Sequence, residues 1–274
     1  MEPVSRGPDN RTRFWTVAKM AGLGFLGIIV GLLTAVVLVL LLSLAGVSVA
    51  DRPFLNIVIS LVAIQGVGLS IVGLAYLTFT GRGLSFLRAR VPSLRDIAWV
   101  VGGVVAIFVL LFVVGIAITV INQMTGVEPA QNSVTELASQ DPSVLLLLIP
   151  AAFLVIGPAE ELLFRGIVQG RLREVFGPVG AIATASVIFG LGHATALTGG
   201  SGGLAAFAIP LAALSLLSVV FGVAYERTEN LVVPILIHGA YDAVLFGLIY
   251  VVLTAGGDLG AAANNSSTLL AALG

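Results

Sequence analysis

Long uncharged runs separated by short charged segments fill most of the chain. A helix needs about 20 apolar residues to cross the hydrocarbon core of a bilayer, and the runs are close to that length or longer. The longest, 175–225, has room for two helices separated by the glycine-rich segment 198–203. The pattern therefore predicts seven transmembrane helices, at 18–45, 54–80, 97–124, 144–169, 179–198, 203–225 and 231–254.

Composition agrees with an all-α polytopic membrane protein. Of 274 residues, 58% are hydrophobic and 10% are charged, with a mean hydropathy of +1.11, whereas about a quarter of the residues of a soluble domain are charged. The net charge of −1 argues against a nucleic-acid partner. Because the chain has no cysteine, any bound metal would have to use histidine and carboxylate ligands.

Basic residues in the loops and at the ends of the predicted helices fall almost entirely on one side of the membrane. Seven helices place eleven Arg and Lys residues on that side and only Arg52 on the other. Cytoplasmic loops carry the excess of basic residues. We therefore expect a multi-pass protein of the cell membrane, with the N-terminal segment 1–17 in the cytoplasm and a flexible tail, 255–274, outside.

Away from the helix ends, six acidic, basic or imidazole side chains remain within the predicted helices, and they are Glu160, Glu161, Arg165, His193, His238 and Asp242. A charge at the bilayer centre costs roughly 2.5–3.5 kcal/mol, so such groups pair, face the bundle interior or line a wet cavity. Glu161 and Arg165 are four residues apart on one helix face, and Glu160 points about 100° away from Glu161. We expect Glu161 to pair with Arg165, and Glu160 to lack a local partner on its helix. The alternative is that all three side chains snorkel at a helix end.

Two histidines and an aspartate lie on the later helices. The four-residue spacing stacks Phe189 on His193 and His238 on Asp242. Taken singly, a core histidine or an internal hydrogen bond would explain each of them. Counting about 1.5 Å per residue from the cytoplasmic helix ends, however, Glu160, both histidines and Asp242 lie roughly 10–20 Å deep. We therefore expect one shared polar layer.

Three motifs, in order, resemble those of the CPBP intramembrane protease family, which includes the CAAX prenyl endopeptidases and bacteriocin-processing proteins. They are EELLFR at 160–165, FGLGH at 189–193 and HGAYD at 238–242. The resemblance covers about 144–254, which would form the catalytic membrane domain, and leaves 18–124 as N-terminal membrane helices. It implies an all-helical membrane protease.

The resemblance also implies roles for individual residues. Glu160 and His193 would activate water, and His238 with the group at 242 would stabilise the oxyanion. The implied catalytic residues are thus Glu160, His193, His238 and Asp242, and the supporting residues are Glu161, Arg165 and Phe189. The substrate would be a membrane-embedded or lipidated peptide, either a prenylated CAAX terminus or a leader peptide. Asp242 replaces the Asn of the prenyl endopeptidases, so it would orient His238 as an acceptor, and this weakens the case for a prenylated substrate.

The sequence pattern is compatible with a bound metal and with two functions other than proteolysis. Glu160, His193 and His238 could bind a divalent metal such as zinc with water as fourth ligand, or Glu160 and His193 could activate water directly. A proton- or ion-coupled transporter could use the same groups as a relay, and a non-catalytic scaffold or immunity factor could share the fold. A rhomboid-type serine protease is disfavoured because Ser201 and His238 would lie about 20 Å apart along the membrane normal.

Overall fold

The computed structural model describes residues 8–255, which are almost entirely helical. The bundle consists of α1 (Asn10–Leu44), α2 (Pro53–Phe79), α3 (Leu94–Thr125), α5 (143–176), α6 (178–196), α7 (Leu204–Thr228) and α8 (Val232–Thr254), and a short helix, α4 (Ser133–Gln140), lies between α3 and α5. Two short strands, β1 (Gln131–Asn132) and β2 (Leu197–Thr198), pair antiparallel. The prediction of an all-α polytopic membrane protein is confirmed.

Six helical segments of the described chain are long and apolar enough to cross a membrane, and one of them contains two spans. The segment Ser143–Ala196 has 54 residues, which would extend about 80 Å if straight, against a hydrocarbon core of about 30 Å. Its backbone leaves the helical region at Gly177, with φ 69° and ψ −176°, and Pro178 begins a new helix without needing an N–H partner. Phe164 and Phe189, on either side of this break, have ring centroids 5.2 Å apart. The segment therefore folds back on itself as α5 and α6, and the bundle has seven spans.

Irregular turns occur in three helices around the predicted polar layer. The backbone is π-helical over Leu61–Ile71 in α2 and over Ala152–Ile156 and Leu162–Gln169 in α5. The last turn of α6, His193–Ala196, is a 3₁₀ turn. Because π turns change which side chains face inward, they are frequent at functional sites.

Charged side chains collect at one end of the bundle, which we call the basic end. Arg82, after α2, pairs with Glu174 near the end of α5 at 2.8 Å. The guanidinium of Arg13, near the start of α1, lies 5.8 Å from the ring centroid of Phe176. Further ion pairs at this end are Arg173–Glu226, Arg88–Glu229 and Arg90–Asp96. These arginines belong to the set that the charge pattern predicts on one side of the membrane.

The opposite end, which we call the ribbon end, carries the two strands and α4. The last helix connects the two ends. It begins beside the basic end, where the Leu231 N–H donates to the Arg88 carbonyl at 3.2 Å. Near its other end, Ile249 packs in one cluster with Ala138 of α4 and Val144 of α5. Since α1 begins at the basic end, the described chain starts and finishes at opposite ends of the bundle, as seven spans require.

The largest difference from the predicted boundaries is at the start of α1. The helix begins at Asn10 instead of residue 18, because the Asp9 side chain accepts the Thr12 N–H at 2.8 Å and caps the first turn. The predicted segment 1–17 is described only from residue 8. The predicted flexible tail lies outside the described residues apart from Ala255.

Candidate active site

Two glycines allow α5 and α8 to approach closely beside the polar residues. A Cβ atom on Gly157 would lie 2.9 Å from the Ala152 carbonyl oxygen and 3.1 Å from the Ile235 carbonyl oxygen, and one on Gly239 would lie 2.6 Å from Phe153. A side chain at either position would push the helices apart. The close contact brings the HGAYD motif of α8 against the two adjacent glutamates of α5.

Glu160 is buried on α5 and is held from one side. Its Oε1 accepts a hydrogen bond from Nε2 of Gln65 on α2 at 3.0 Å. Its Oε2 faces the two histidines, 3.8 Å from His193 Nε2 and 3.9 Å from His238 Nε2. These distances are too long for direct hydrogen bonds but suit a bridging water. One carboxylate oxygen is thus fixed, and the other is directed at a space between two imidazoles.

His193 lies in the final turn of α6, and its side chain is 22% exposed. Its Nδ1 is 2.9 Å from the carbonyl oxygen of Phe189. Since a carbonyl can only accept, Nδ1 carries the proton, and Nε2 of a neutral ring is left as an acceptor. The ring centroid lies 4.6 Å from that of Phe189, so the predicted four-residue pair also fixes the plane of the imidazole.

His238 on α8 is buried among three carboxylates. Its Nδ1 is 2.8 Å from Oε1 of Glu161, and because a carboxylate accepts, this nitrogen is the donor. Its Nε2 lies 3.5 Å from Asp242 Oδ2 and faces Glu160. The ring stacks on Phe221 of α7 with centroids 4.8 Å apart and planes 10° apart. Contacts at both ring nitrogens and on one face of the ring therefore fix the orientation of the His238 imidazole.

Glu161 and Arg165 form the expected ion pair, with Arg165 Nε 3.2 Å from Glu161 Oε2. Both side chains are fully buried. The Arg165 Nη2 donates to the hydroxyl of Ser218 on α7 at 2.8 Å. Its guanidinium lies over the rings of Phe189 and Phe221, 4.5 Å and 5.0 Å from their centroids. The same carboxylate also holds His238, a contact that the sequence does not predict because it depends on the close crossing of α5 and α8.

The hydrogen-bond partner of Glu160 is Gln65, which comes from α2, 95 residues earlier in the chain, and is therefore not a local partner. The sequence interpretation considered only ionisable groups and drew nothing from the first three spans. An amide near the middle of an otherwise apolar helix was the available signal for Gln65. Phe221 and Ser218 gave no comparable signal, because aromatic and hydroxyl residues are ordinary in such helices.

The structure brings all four predicted catalytic residues to one cavity of about 260 Å³. Glu160, His193, His238 and Asp242 line it together with Gln65. A carboxylate and an imidazole acceptor directed at one point can bind and deprotonate a water molecule. A second imidazole beside them can stabilise negative charge that develops on a substrate oxygen.

The zinc alternative fits this arrangement poorly. Ligand distances of about 2.0–2.1 Å in a tetrahedral zinc site place donor atoms roughly 3.3 Å apart, closer than the distances between Glu160 and the two histidines. Over residues 8–255, no group of three or more His, Cys, Asp or Glu side chains is arranged to hold a metal ion. The chemistry is therefore derived from the side chains alone, and zinc binding stays an untested prediction.

Fold and site together define an all-helical membrane protein with a buried carboxylate and histidine centre. A sequence model of the family described as Type II CAAX prenyl endopeptidase Rce1-like matches residues 142–244. No curated protein and no solved structure matches the chain. The matched segment contains all three motifs that carry the resemblance stated above. The match supports the resemblance to the CPBP and CAAX protease family over this segment, as the three motifs predict.

Proposed function

We propose that this protein is an intramembrane endopeptidase that hydrolyses a peptide bond with water activated by Glu160 and His193. The observation that carries the proposal is the convergence of Glu160, His193 and His238, from three different helices, on one point in a buried cavity. The family match supports a protease acting on a membrane-associated substrate. A purely structural role gives no reason to leave a cavity between these groups.

Activation of water follows from the positions of Glu160 and His193. A water molecule between Glu160 Oε2 and His193 Nε2 donates one hydrogen to each. As its oxygen bonds to the substrate carbonyl carbon, its proton passes to Glu160 Oε2, and the carbonyl π electrons move to the oxygen. When the carbon–nitrogen bond breaks, protonated Glu160 returns the proton to the leaving amine. The carboxylate is regenerated, and Gln65 holds it in place throughout.

Stabilisation of the oxyanion is assigned to His238. With both ring nitrogens protonated, His238 donates from Nδ1 to Glu161 and from Nε2 to the developing oxyanion. Asp242 lies 3.5 Å from the same Nε2, so it orients the ring before the substrate arrives. This assignment keeps the role implied for Asp242 as an acceptor, and it does not require Asp242 to donate.

The membrane orientation belongs to the same proposal. The basic end would face the cytoplasm, because it carries the excess of Arg and Lys, and the N-terminus would lie on that side of the cell membrane. The substrate would be a membrane-embedded or lipidated peptide, a CAAX terminus or a leader peptide.

The proposal is tested by mapping peptide termini in membranes that contain the full chain. Wild type and Glu160→Gln are compared at equal protein level, with Glu174→Gln, an exposed glutamate at the basic end, as the charge-matched control. We expect new termini with wild type and the control that are absent with Glu160→Gln. Identical profiles for all three proteins would contradict the proposal and favour a non-catalytic scaffold, and ion flux in proteoliposomes would instead favour a transporter.

A further inference from the structure

The cavity that holds Glu160 is closed toward the basic end of the bundle. Directly beyond Glu160 in that direction lie Glu161, Arg165 and Gln169, whose relative exposures are 0%, 1% and 1%. The Gln169 side chain donates to the Gly222 carbonyl of α7 at 3.0 Å, and Arg165 donates to Ser218. These bonds join α5 to α7 between the active-site cavity and a separate cavity of about 240 Å³ at the basic end, which Gln169 also lines. Among the described residues that line the active-site cavity, none belongs to the charged cluster of the basic end.

Toward the ribbon end the same cavity is open. Its wall continues from His193 to Thr195, which is exposed, and to Asn132, Ser133 and Thr135, which are partly exposed. Asn132 and Thr135 also line a larger outer cavity of about 760 Å³ beside the strands. The two spaces share these residues at the first turn of α4, so the wall of the active-site cavity extends from the catalytic groups to the ribbon end.

The entrance differs chemically from the membrane-facing surface of the bundle. Hydroxyl and amide side chains surround it: Ser60, Asn132, Ser133, Thr135 and Thr195. Uncharged groups that can donate and accept hydrogen bonds suit the backbone of an extended peptide, which carries both a donor and an acceptor at nearly every residue.

We propose that the active-site cavity opens on the non-cytoplasmic face of the membrane and that the substrate is a peptide segment presented on that face. The side follows from the opening at the ribbon end combined with the excess of basic residues at the opposite end. This inference rests on the proposed function for the reaction itself and concerns the direction from which the substrate arrives. It favours a leader peptide or another membrane-anchored peptide that is exposed on that face.

The test uses the absence of native cysteine, which makes each introduced thiol unique. Gln65→Cys places a thiol deep in the cavity, Thr135→Cys places one at its entrance, and Ser85→Cys places one on the exposed surface of the basic end. The full chain is studied in right-side-out and in inverted membrane vesicles with a charged, membrane-impermeant methanethiosulfonate. Ile64→Cys, which also lines the cavity, replaces Gln65→Cys if that variant does not fold.

We expect the cavity thiol and the entrance thiol to react in right-side-out vesicles and the Ser85→Cys thiol to react only in inverted vesicles. The inference would be overturned if the cavity thiol reacted only in inverted vesicles, in both kinds of vesicle, or in neither kind. Failure of the proposed function is distinguishable, because it would appear as unchanged peptide termini in Glu160→Gln membranes even if the thiols react as expected. Conversely, lost cleavage in Glu160→Gln with a cavity thiol reached only from the cytoplasmic side would retain the protease and reject this route of entry.

Discussion

Glu160 and Glu161 are neighbours in the chain, yet they belong to two layers with different physical properties. In the open layer, Glu160 Oε2 lies 3.8 Å and 3.9 Å from the nearest histidine nitrogens, and the space between them is part of a cavity. In the closed layer, Glu161 is in direct contact with both partners, 2.8 Å from His238 and 3.2 Å from Arg165. A polar group inside a membrane is tolerated when it is paired, and it becomes available for chemistry when its partners leave room for water.

His238 connects the two layers. One ring nitrogen is bonded to Glu161 in the closed layer, and the other faces Glu160 and Asp242 in the open layer. The closed layer therefore does more than stabilise the fold, because it also fixes the group that we assign to the oxyanion. Substitutions in the two layers should therefore differ clearly in their effect on stability. Substitutions in either layer should reduce activity.

The largest expected loss of stability follows substitution of Glu161, in the closed layer. Glu161→Gln leaves the buried Arg165 without its charge partner, and breaking a buried pair in this way typically costs about 3–5 kcal/mol. Unfolding of the purified full chain in detergent measures the loss. The double variant Glu161→Gln with Arg165→Gln should recover part of the stability. A Glu161→Gln protein as stable as wild type would show that the ion pair is not what separates the two layers.

A smaller effect is expected when Glu160, in the open layer, loses its hydrogen bond from Gln65. Gln65→Leu removes the hydrogen bond to Glu160 Oε1, and a bond to a charged group is worth about 1.5–3 kcal/mol. We expect kcat to fall about tenfold to hundredfold with little change in KM, and the melting temperature to fall less than it does in Glu161→Gln. Steady-state kinetics on a peptide identified from the membrane profiles checks this. The control is Thr78→Ala, because the Thr78 hydroxyl donates to the Leu74 carbonyl of the same helix. An equal loss of kcat in both variants would contradict the positioning role of Gln65.

The smallest effect is expected at the basic end. Arg82 and Glu174 form an ion pair at 2.8 Å, but their side chains are 27% and 43% exposed, and such pairs contribute at most about 1 kcal/mol. Arg82→Ala should therefore change the free energy of unfolding by less than that and leave turnover unaltered. A loss comparable to that of Glu161→Gln would mean that the charged cluster supports the fold as strongly as the buried layer does.

Much of the fold follows from simple sequence patterns. The apolar runs located all seven spans, because a membrane leaves few alternatives to helices of fixed length. The break between α5 and α6 falls at Gly177–Pro178, which is a strong helix-ending dipeptide. The short helix α4 lies in a segment that was expected only as a loop, because eight mostly polar residues provide a weak helical signal. That helix forms part of the cavity entrance, so the side on which the cavity opens could not be predicted either.

The site was predictable as a set of residues but not as a set of bonds. Counting ionisable groups within apolar helices found Glu160, His193, His238 and Asp242. The bond from Glu161 to His238 depends on how closely α5 crosses α8, which is set by Gly157 and Gly239 through long-range packing. Gln65 comes from a helix 95 residues earlier in the chain, and no local spacing relates the two positions.

The central claim, that adjacent glutamates act in chemically different layers, is tested most directly by Glu160→Gln. Both the turnover and the melting temperature of the purified full chain are measured beside wild type and Glu161→Gln. The amide oxygen of the new side chain can still accept from Gln65, but it cannot take a proton from water, so turnover should fall by about 10²–10⁴ while the melting temperature stays close to that of wild type. Appreciable turnover in Glu160→Gln, or a loss of stability as large as that of Glu161→Gln, would contradict the account.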